Sequence, residues 1–373
     1  MDAPPPAPHT PSAFLAAVED RIAAALRVGE GTDAARRTPL LDRAAAWLVD
    51  APGAKRARPL LTRLFGGALR LPWAASVDIA ASAELIHTAS LLHDDVVDRA
   101  ATRRARPTAN ALWGDGVAVL AGDLVLAAAL RSLSGLPREL TAGAVETVVA
   151  MARSALLEVA HRGRLPEELP IWAEIATGKT AALFVWCGQA VGFAAGDPEA
   201  GRRFGAFGHH LGLAFQLADD LKDFSARDHG KESLADLRNG NPSYPIWLAA
   251  RGSTEARGLV EALWRGGDAA THEALAAAAS AVAASGALEA TADRVREHLD
   301  EGLLALGPWR RHPALATLGA WVADLEAGLP GGRGTAPRSA APLAPGRPPA
   351  GAARWRLPDD ACEMESRKEA SCS

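Results

Sequence analysis

Cysteine is scarce in this chain: three residues in 373, one at Cys187 in an apolar stretch and two, Cys362 and Cys372, near the end. Their number and spacing offer neither a disulfide framework nor a zinc-ligand pattern, so a reducing cytoplasm is the expected setting. An excess of basic charge is also lacking. The net charge of −4 supplies no broad positive surface for nucleic acid. No run of about 18 residues is free of charge, which argues against a membrane span. The opening Met1-Asp2-Ala3-Pro4 lacks the basic and then apolar pattern of a secretory signal. Alternating β-branched runs are few, and this leaves little material for a sheet.

What is abundant is Ala, Leu and Arg, all good helix formers, from Ser12 to about Leu329. The expected fold class is therefore all-α. Val145 to Val149 is a strand candidate by propensity alone, but Ala142 to Glu158 as a whole reads as one buried helix. Turns are marked by Pro52-Gly53, Leu71-Pro72, Gly196-Asp197-Pro198 and Gly240-Asn241-Pro242. Three parts follow: a Pro-rich disordered start over 1–12, a helical body over 13–328, and a Pro/Gly/Ala-rich tail over 329–373. The tail reads as an inert disordered end, with docking to a partner as the alternative.

Two acidic strings of the form D-x-x-x-D close apolar helices: Asp94-Asp95-Val96-Val97-Asp98 and Asp219-Asp220-Leu221-Lys222-Asp223. Residues four apart share a helix face, so Asp94 pairs with Asp98 and Asp219 with Asp223. Like charges at that spacing repel and weaken the helix unless a cation sits against them. Hard divalent ions with oxygen ligands are the usual counterpart, and Mg²⁺ held this way typically binds substrate phosphates as well. His87 lies one heptad before Asp94 on nearly the same face.

Basic residues flank these strings. Lys55, Arg56 and Arg58 precede the first, and Arg103, Arg104 and Arg106 follow it. Guanidinium forks and ammonium charges beside metal-binding carboxylates suit a diphosphate. Gly178-Lys179-Thr180 invites a nucleotide-loop reading, but the glycine that motif needs upstream is missing and Ile171 to Ala176 reads as helix. A lysine and a hydroxyl at a helix break remain good diphosphate ligands. The second acidic string is preceded by Phe215-Gln216 and followed by Gly230-Lys231.

Taken in order, G-x-K-R-x-R-P, I-H-x-x-x-L-x-H-D-D-x-x-D, R-R-x-x-P-T, G-K-T-A, F-Q-x-x-D-D-x-x-D and G-K make the chain resemble the polyprenyl synthetase family, the trans-isoprenyl diphosphate synthases, from about Pro52 to Pro245. The resemblance implies an isoprenoid-synthase-type helical bundle around a deep apolar cavity, usually a homodimer. It implies Mg²⁺, three ions together with bound diphosphate, held by Asp94, Asp95, Asp98, Asp219 and Asp223. Isopentenyl diphosphate would be bound by Lys55, Arg58, His87 and Arg104, and the allylic diphosphate by Arg103, Lys179 and Lys231. Thr180 and Gln216 would sit near the reacting carbons, and His93 would only pack. The cavity floor would be Ala89 and Ser90, with Ile86 another turn below, and the small side chains of the first two imply a product of twenty carbons or longer.

The chain departs from the family pattern at two informative positions. Asn241 stands where a lysine is common, and Glu158 where many members carry Gln or Asp. Rival readings fit less well. A terpene cyclase would carry a different second metal motif, and head-to-head condensing enzymes lack the Lys55/Arg58 and Arg103-Arg104 sets. A non-catalytic partner subunit usually loses aspartates that this chain keeps.

Overall fold

Alanine- and leucine-rich segments become helices here, and each is ended by the turn residue that follows it. The computed structural model describes residues 10–27, 39–49, 56–103, 106–167, 170–224, 234–267 and 271–327. Lys55, Arg104, Lys231 and the tail from 329 lie outside the described residues.

Among the described residues the chain is all-α, as expected. Helices α1 (Pro11–Arg27), α2 (Pro39–Val49) and α3 (Ala57–Ala68) lead into the long α4 (Trp73–Val97). A two-residue antiparallel pair, β1 (Thr102–Arg103) and β2 (Arg106–Pro107), precedes α5 (Ala109–Trp113), α6 (Asp115–Ser132) and α7 (Arg138–His161). Next come α8 (Pro170–Ala176), a π-turn over Thr177–Ala181, α9 (Ala182–Ala194) and α10 (Pro198–Asp223). The remainder is α11 (Ala235–Asn239), α12 (Tyr244–Gly252), α13 (Thr254–Gly266), α14 (His272–Ala284), α15 (Ala287–Ala305) and α16 (Ala316–Ala327). The start differs slightly from expectation. Thr10 accepts the Ala13 N–H at 3.2 Å and caps α1, so Pro11 and Ser12 are helical rather than disordered.

Helix α4 is the axis of the site. Ile79, Ala80, Ala83, Leu85 and Ile86 are almost wholly buried around it, so packing rather than a single amphipathic stripe holds it. It packs on α1, α3 and α6, while α10 packs on α9 and α15. A smaller apolar cluster, including Ile246, Val260 and Val282, joins α12, α13 and α14.

Close approach of α9 to α10 depends on glycine. A Cβ on Gly208 would lie 2.4 Å from the Phe184 carbonyl oxygen, and one on Gly192 would lie 2.3 Å from Gly201 Cα. The obstacle is backbone, which cannot rotate away. This sets the second acidic string, at the end of α10, beside α8, where Trp172 reaches Asp220.

Helix α7 corrects one expectation. It is a helix, not a strand, but it is not fully buried: Val145, Val149, Leu156 and Val159 are exposed. Leu156 and Val159 nonetheless line an interior cavity with Val148 and Met151, so these two exposed residues continue the inward face rather than forming a separate one. By length and composition alone α7 is apolar enough to cross a membrane, although it carries charged residues.

Gly208→Ala should lower stability by about 1–3 kcal/mol, the scale of overpacking a filled interface. Gly258→Ala, whose added methyl meets nothing within 4 Å in the middle of α13, should instead be neutral or stabilising by about 0.5–1 kcal/mol. Thermal unfolding followed by circular dichroism compares them; equal melting temperatures would rule out the glycine seam as a requirement.

Candidate active site

The first acidic string occupies the last turn of α4. The helix ends because Arg99 adopts a left-handed φ of 52°, while the Asp98 N–H donates to the Asp94 carbonyl at 2.8 Å. Asp94 and Asp98 project from one face, as their spacing requires. Asp94 lines a cavity of about 260 Å³ together with Ile86, Ala89, Ser90, His93 and Lys179. The expected floor residues and two of the expected charged residues thus surround one space. Its far wall is the apolar face of α7, including Val148, Met151, Ala155, Leu156 and Val159.

Ser90 donates its hydroxyl to the His87 carbonyl at 2.8 Å, which satisfies it within the helix. His87 itself is half-buried on α4. His93 Nε2 lies 3.2 Å from the Val119 carbonyl and 3.4 Å from an Asp123 oxygen, over Gly122, where any Cβ would strike the ring. These contacts fit a packing role.

Asp95 differs from its neighbours. It is 1% exposed, and Arg103 Nε donates to its Oδ1 at 2.6 Å. The pair lies beside Trp47 and Arg106, and neither residue lines the large cavity. Sequence reasoning set Asp95 among metal ligands and Arg103 among diphosphate ligands; here each neutralises the other. One position along a helix turns a side chain by about 100°, enough to carry Asp95 off the Asp94/Asp98 face.

Arg162, which no motif singled out, and Glu158 each pair with a charged residue of the site. Arg162, just past α7, pairs its Nη2 with Asp98 and donates to the Val97 carbonyl and to Asn241 Oδ1, both at 3.2 Å. It puts a cation beside Asn241, where the lysine common in the family is missing. Glu158 pairs with Lys179. Burial pulls the Lys179 pKa down, but Asp94 and Glu158 more than reverse this and raise it, so its charge is secure. Burial pushes the Asp94 pKa up; Lys179 opposes this and Asp98 adds to it. No local pattern marks Arg162, because its partners lie 64 and 79 residues away.

Lys179 and Thr180 sit in the π-turn between α8 and α9 rather than at a helix break. The geometry follows from Gly178, where a Cβ would lie 1.9 Å from Ser154 Oγ and 2.9 Å from the Ala150 carbonyl oxygen. Pressing this turn on α7 aims Lys179 into the cavity. The Thr180 hydroxyl donates to Gln216 Oε1 at 2.5 Å, and Gln216 Nε2 donates to Asp220 Oδ1 at 2.8 Å. The other Asp220 oxygen accepts Trp172 Nε1 at 3.1 Å and the Tyr244 N–H at 3.0 Å. Asp220 therefore fixes which end of the Gln216 amide meets Thr180.

At the end of α10, Asp219 is exposed and meets Lys222 Nζ at 2.7 Å. Asp223 accepts the backbone N–H groups of Ala235 and Asp236 at 2.8 and 2.9 Å. Arg58 stacks over Phe184 at 4.5 Å, with its Nε buried and without a hydrogen-bond partner. Burial lowers its pKa, while Glu84, Cys187 and Asp219 counter that effect.

With this geometry in hand, comparison with known proteins is informative. The polyprenyl synthetase family model matches residues 38–282. The chain is 34% identical over 269 residues to octaprenyl diphosphate synthase of Escherichia coli K12, covering 69% of this chain and 82% of that one. It is 33% identical over 300 residues to (2E,6E)-farnesyl diphosphate synthase of Mycobacterium bovis, covering 73% and 80%. The solved polyprenyl synthase of Caulobacter crescentus, complexed with calcium and isoprenyl diphosphate, superposes with a TM-score of 0.74 at 30% identity, covering 83% and 94%. This chain belongs to the polyprenyl synthetase family, and with relatives that are prenyl diphosphate synthases it is a prenyltransferase. It is an enzyme that elongates trans-prenyl diphosphates.

Burial raises the Asp220 pKa from 3.8 to about 6, against its hydrogen bonds from Gln216, Tyr244 and Trp172. Because the folded-state pKa lies above the unfolded one, this group's contribution to stability is full below 3.8 and falls as pH rises through about 6. Asp220→Asn should remove that slope. It should also cost about 1–3 kcal/mol, because an amide turns an N–H₂ toward a donor that needs an acceptor. Urea unfolding at a series of pH values tests both; a variant with the wild-type profile would contradict the assigned network.

Proposed function

We propose that the chain is a Mg²⁺-dependent synthase that joins isopentenyl diphosphate head-to-tail to an allylic diphosphate and releases a trans product of twenty carbons or longer. The observation that carries this reading is the small floor, Ala89 and Ser90, in a cavity that runs inward from Asp94 and Lys179. The relatives' names do not decide length, since octaprenyl and farnesyl synthases are about equally similar.

The donor set fits a hard divalent ion. Asp94 and Asp98 present carboxylates on one face and Asp219 presents an exposed one on α10, while the neighbouring His93 imidazole is turned to the Val119 carbonyl and Asp123. Asp94, Asp98, Asp219 and Asp223 would hold Mg²⁺, with Asp95 acting through Arg103 as a positioning residue. When bound, the ions supply positive charge against a departing diphosphate.

The chain's own residues do the rest. Lys179, with Lys231 assigned from the sequence, binds the allylic diphosphate, and Arg103 takes the positioning role. Arg58, with its unpartnered Nε, binds the second diphosphate together with His87, Lys55 and Arg104. The Thr180 hydroxyl donates its hydrogen bond to Gln216 Oε1, so its lone pairs are free to face positive charge on the allylic carbons. Apolar walls exclude water that would otherwise capture that carbon centre. The released diphosphate accepts the final proton, leaving His93 to its packing contacts. A homodimer would cover the exposed Val145 and Val149 of α7. A cytoplasmic setting suits the buried free thiol of Cys187.

Purified protein with Mg²⁺, isopentenyl diphosphate and each allylic primer in turn should form product of twenty carbons or longer. No product with any primer would favour a non-catalytic subunit. Asp94→Ala should cut turnover on the order of 10²–10³-fold, the scale of losing one positioned electrostatic group. Ala89→Phe or Ser90→Phe should shorten the product by blocking the cavity, and an unchanged distribution of labelled products in either variant would sink the assignment of the floor.

A further inference from the structure

Away from the acidic helix ends, three side chains converge between α10 and α15. We propose that His210, His298 and Glu301 form a binding site for a borderline divalent transition metal of the zinc class, which fastens α15 to α10.

The distances carry the argument. His210 Nδ1 lies 3.3 Å from His298 Nδ1 and 3.3 Å from Glu301 Oε2, and His298 Nδ1 lies 3.4 Å from the same oxygen. The three atoms form a nearly equilateral triangle. Zinc bound tetrahedrally at about 2.0–2.1 Å has ligand–ligand edges of about 3.3–3.4 Å, so the triangle matches one face of its coordination shell. Two imidazoles and one carboxylate also form a familiar three-ligand set with an open fourth position. That position faces solvent: the side chains of His210 and Glu301 are 25% and 47% exposed, and that of His298 only 6%.

The backbone is arranged for this meeting. A Cβ at Gly302 would approach His210 Cβ to 3.2 Å, so a glycine next to Glu301 lets α15 come close at this point. His298 and Glu301 are one turn apart on α15 and reach the same spot. Burial brings the His298 pKa down to about 3 and lowers that of His210, with Arg294 adding to both, so the rings are neutral and have lone pairs to give. The Arg294 charge is itself engaged by Glu297 at 2.7 Å.

Nitrogen donors distinguish this site from the carboxylate sets. Mg²⁺ prefers oxygen and imidazole suits zinc, cobalt or nickel. Along α10, His210 precedes Asp219 by about 13 Å at a rise of about 1.5 Å per residue. The metal would hold α10 in place behind the reaction centre without entering it. The competing arrangement is a hydrogen-bonded trio in which both rings donate to Glu301.

The test uses untagged full-length protein in excess Mg²⁺, which fills the carboxylate sets, titrated with Co²⁺. One equivalent should bind with the intense visible absorption of four-coordinate cobalt, and Zn²⁺ should displace it and raise the melting temperature. Losing even an outer partner of a metal ligand typically costs about 10–100-fold in affinity, so His210→Ala and Glu301→Gln should each weaken binding by at least that much. Glu301→Gln changes a half-exposed side chain, so it should keep the wild-type circular dichroism and prenyl-transfer rate in Mg²⁺. Absence of the four-coordinate spectrum, or wild-type Co²⁺ affinity in either variant, overturns the proposal and leaves the hydrogen-bonded trio.

Discussion

Repulsion among carboxylates at the mouth of an apolar cavity is the constraint on which the rest of this structure depends. Two unit charges about 4 Å apart repel by about 4 kcal/mol at an effective dielectric of about 20, which exceeds any local helix preference. The chain contains that repulsion by drawing cations from separate elements. Asp98 is met by Arg162 from the end of α7, Asp95 by Arg103 from β1, and Glu158 by Lys179 from the π-turn. Each pair ties two elements together, so the charge pattern also orders the wall of the cavity. Partly buried acids that still lack full compensation, Asp94 above all, are primed for a divalent ion accompanied by substrate.

The second requirement is precise placement of α10. Its acidic end is set beside α8 because glycines let α10 lie against α9 at backbone contact. From there Asp220 orients Gln216, and Gln216 orients Thr180. The second acidic string is therefore divided in function. Asp219 faces outward, Asp223 ties down the start of α11, and Asp220 is buried as a structural anchor. The equal spacing of the two strings conceals different burial at each position.

Much of this was legible in the sequence. The all-α class follows from composition, and the shared face of Asp94 and Asp98 follows from helix geometry alone. Ile86, Ala89 and Ser90 could be set beneath Asp94 because all four lie on one helix. What was not legible depends on contacts between distant segments. Arg162 carries no motif, and the Asp95–Arg103 pair appears only once the β1–β2 turn folds back on α4. The exposure of Val145 and Val149 on α7 was misjudged because an apolar run does not reveal how much of it meets the core. The His210, His298 and Glu301 convergence is invisible for the same reason: a pair of adjacent histidines acquires meaning only when a second helix brings a third ligand.

The central claim is that the carboxylates act through a divalent ion that they share with a diphosphate. Calorimetric titration with an unreactive thiolo analogue of an allylic diphosphate tests it without requiring turnover. Tight binding in Mg²⁺ that disappears in EDTA, and is lost in Asp98→Ala, is the predicted result. Equal affinity with and without Mg²⁺ would contradict the account.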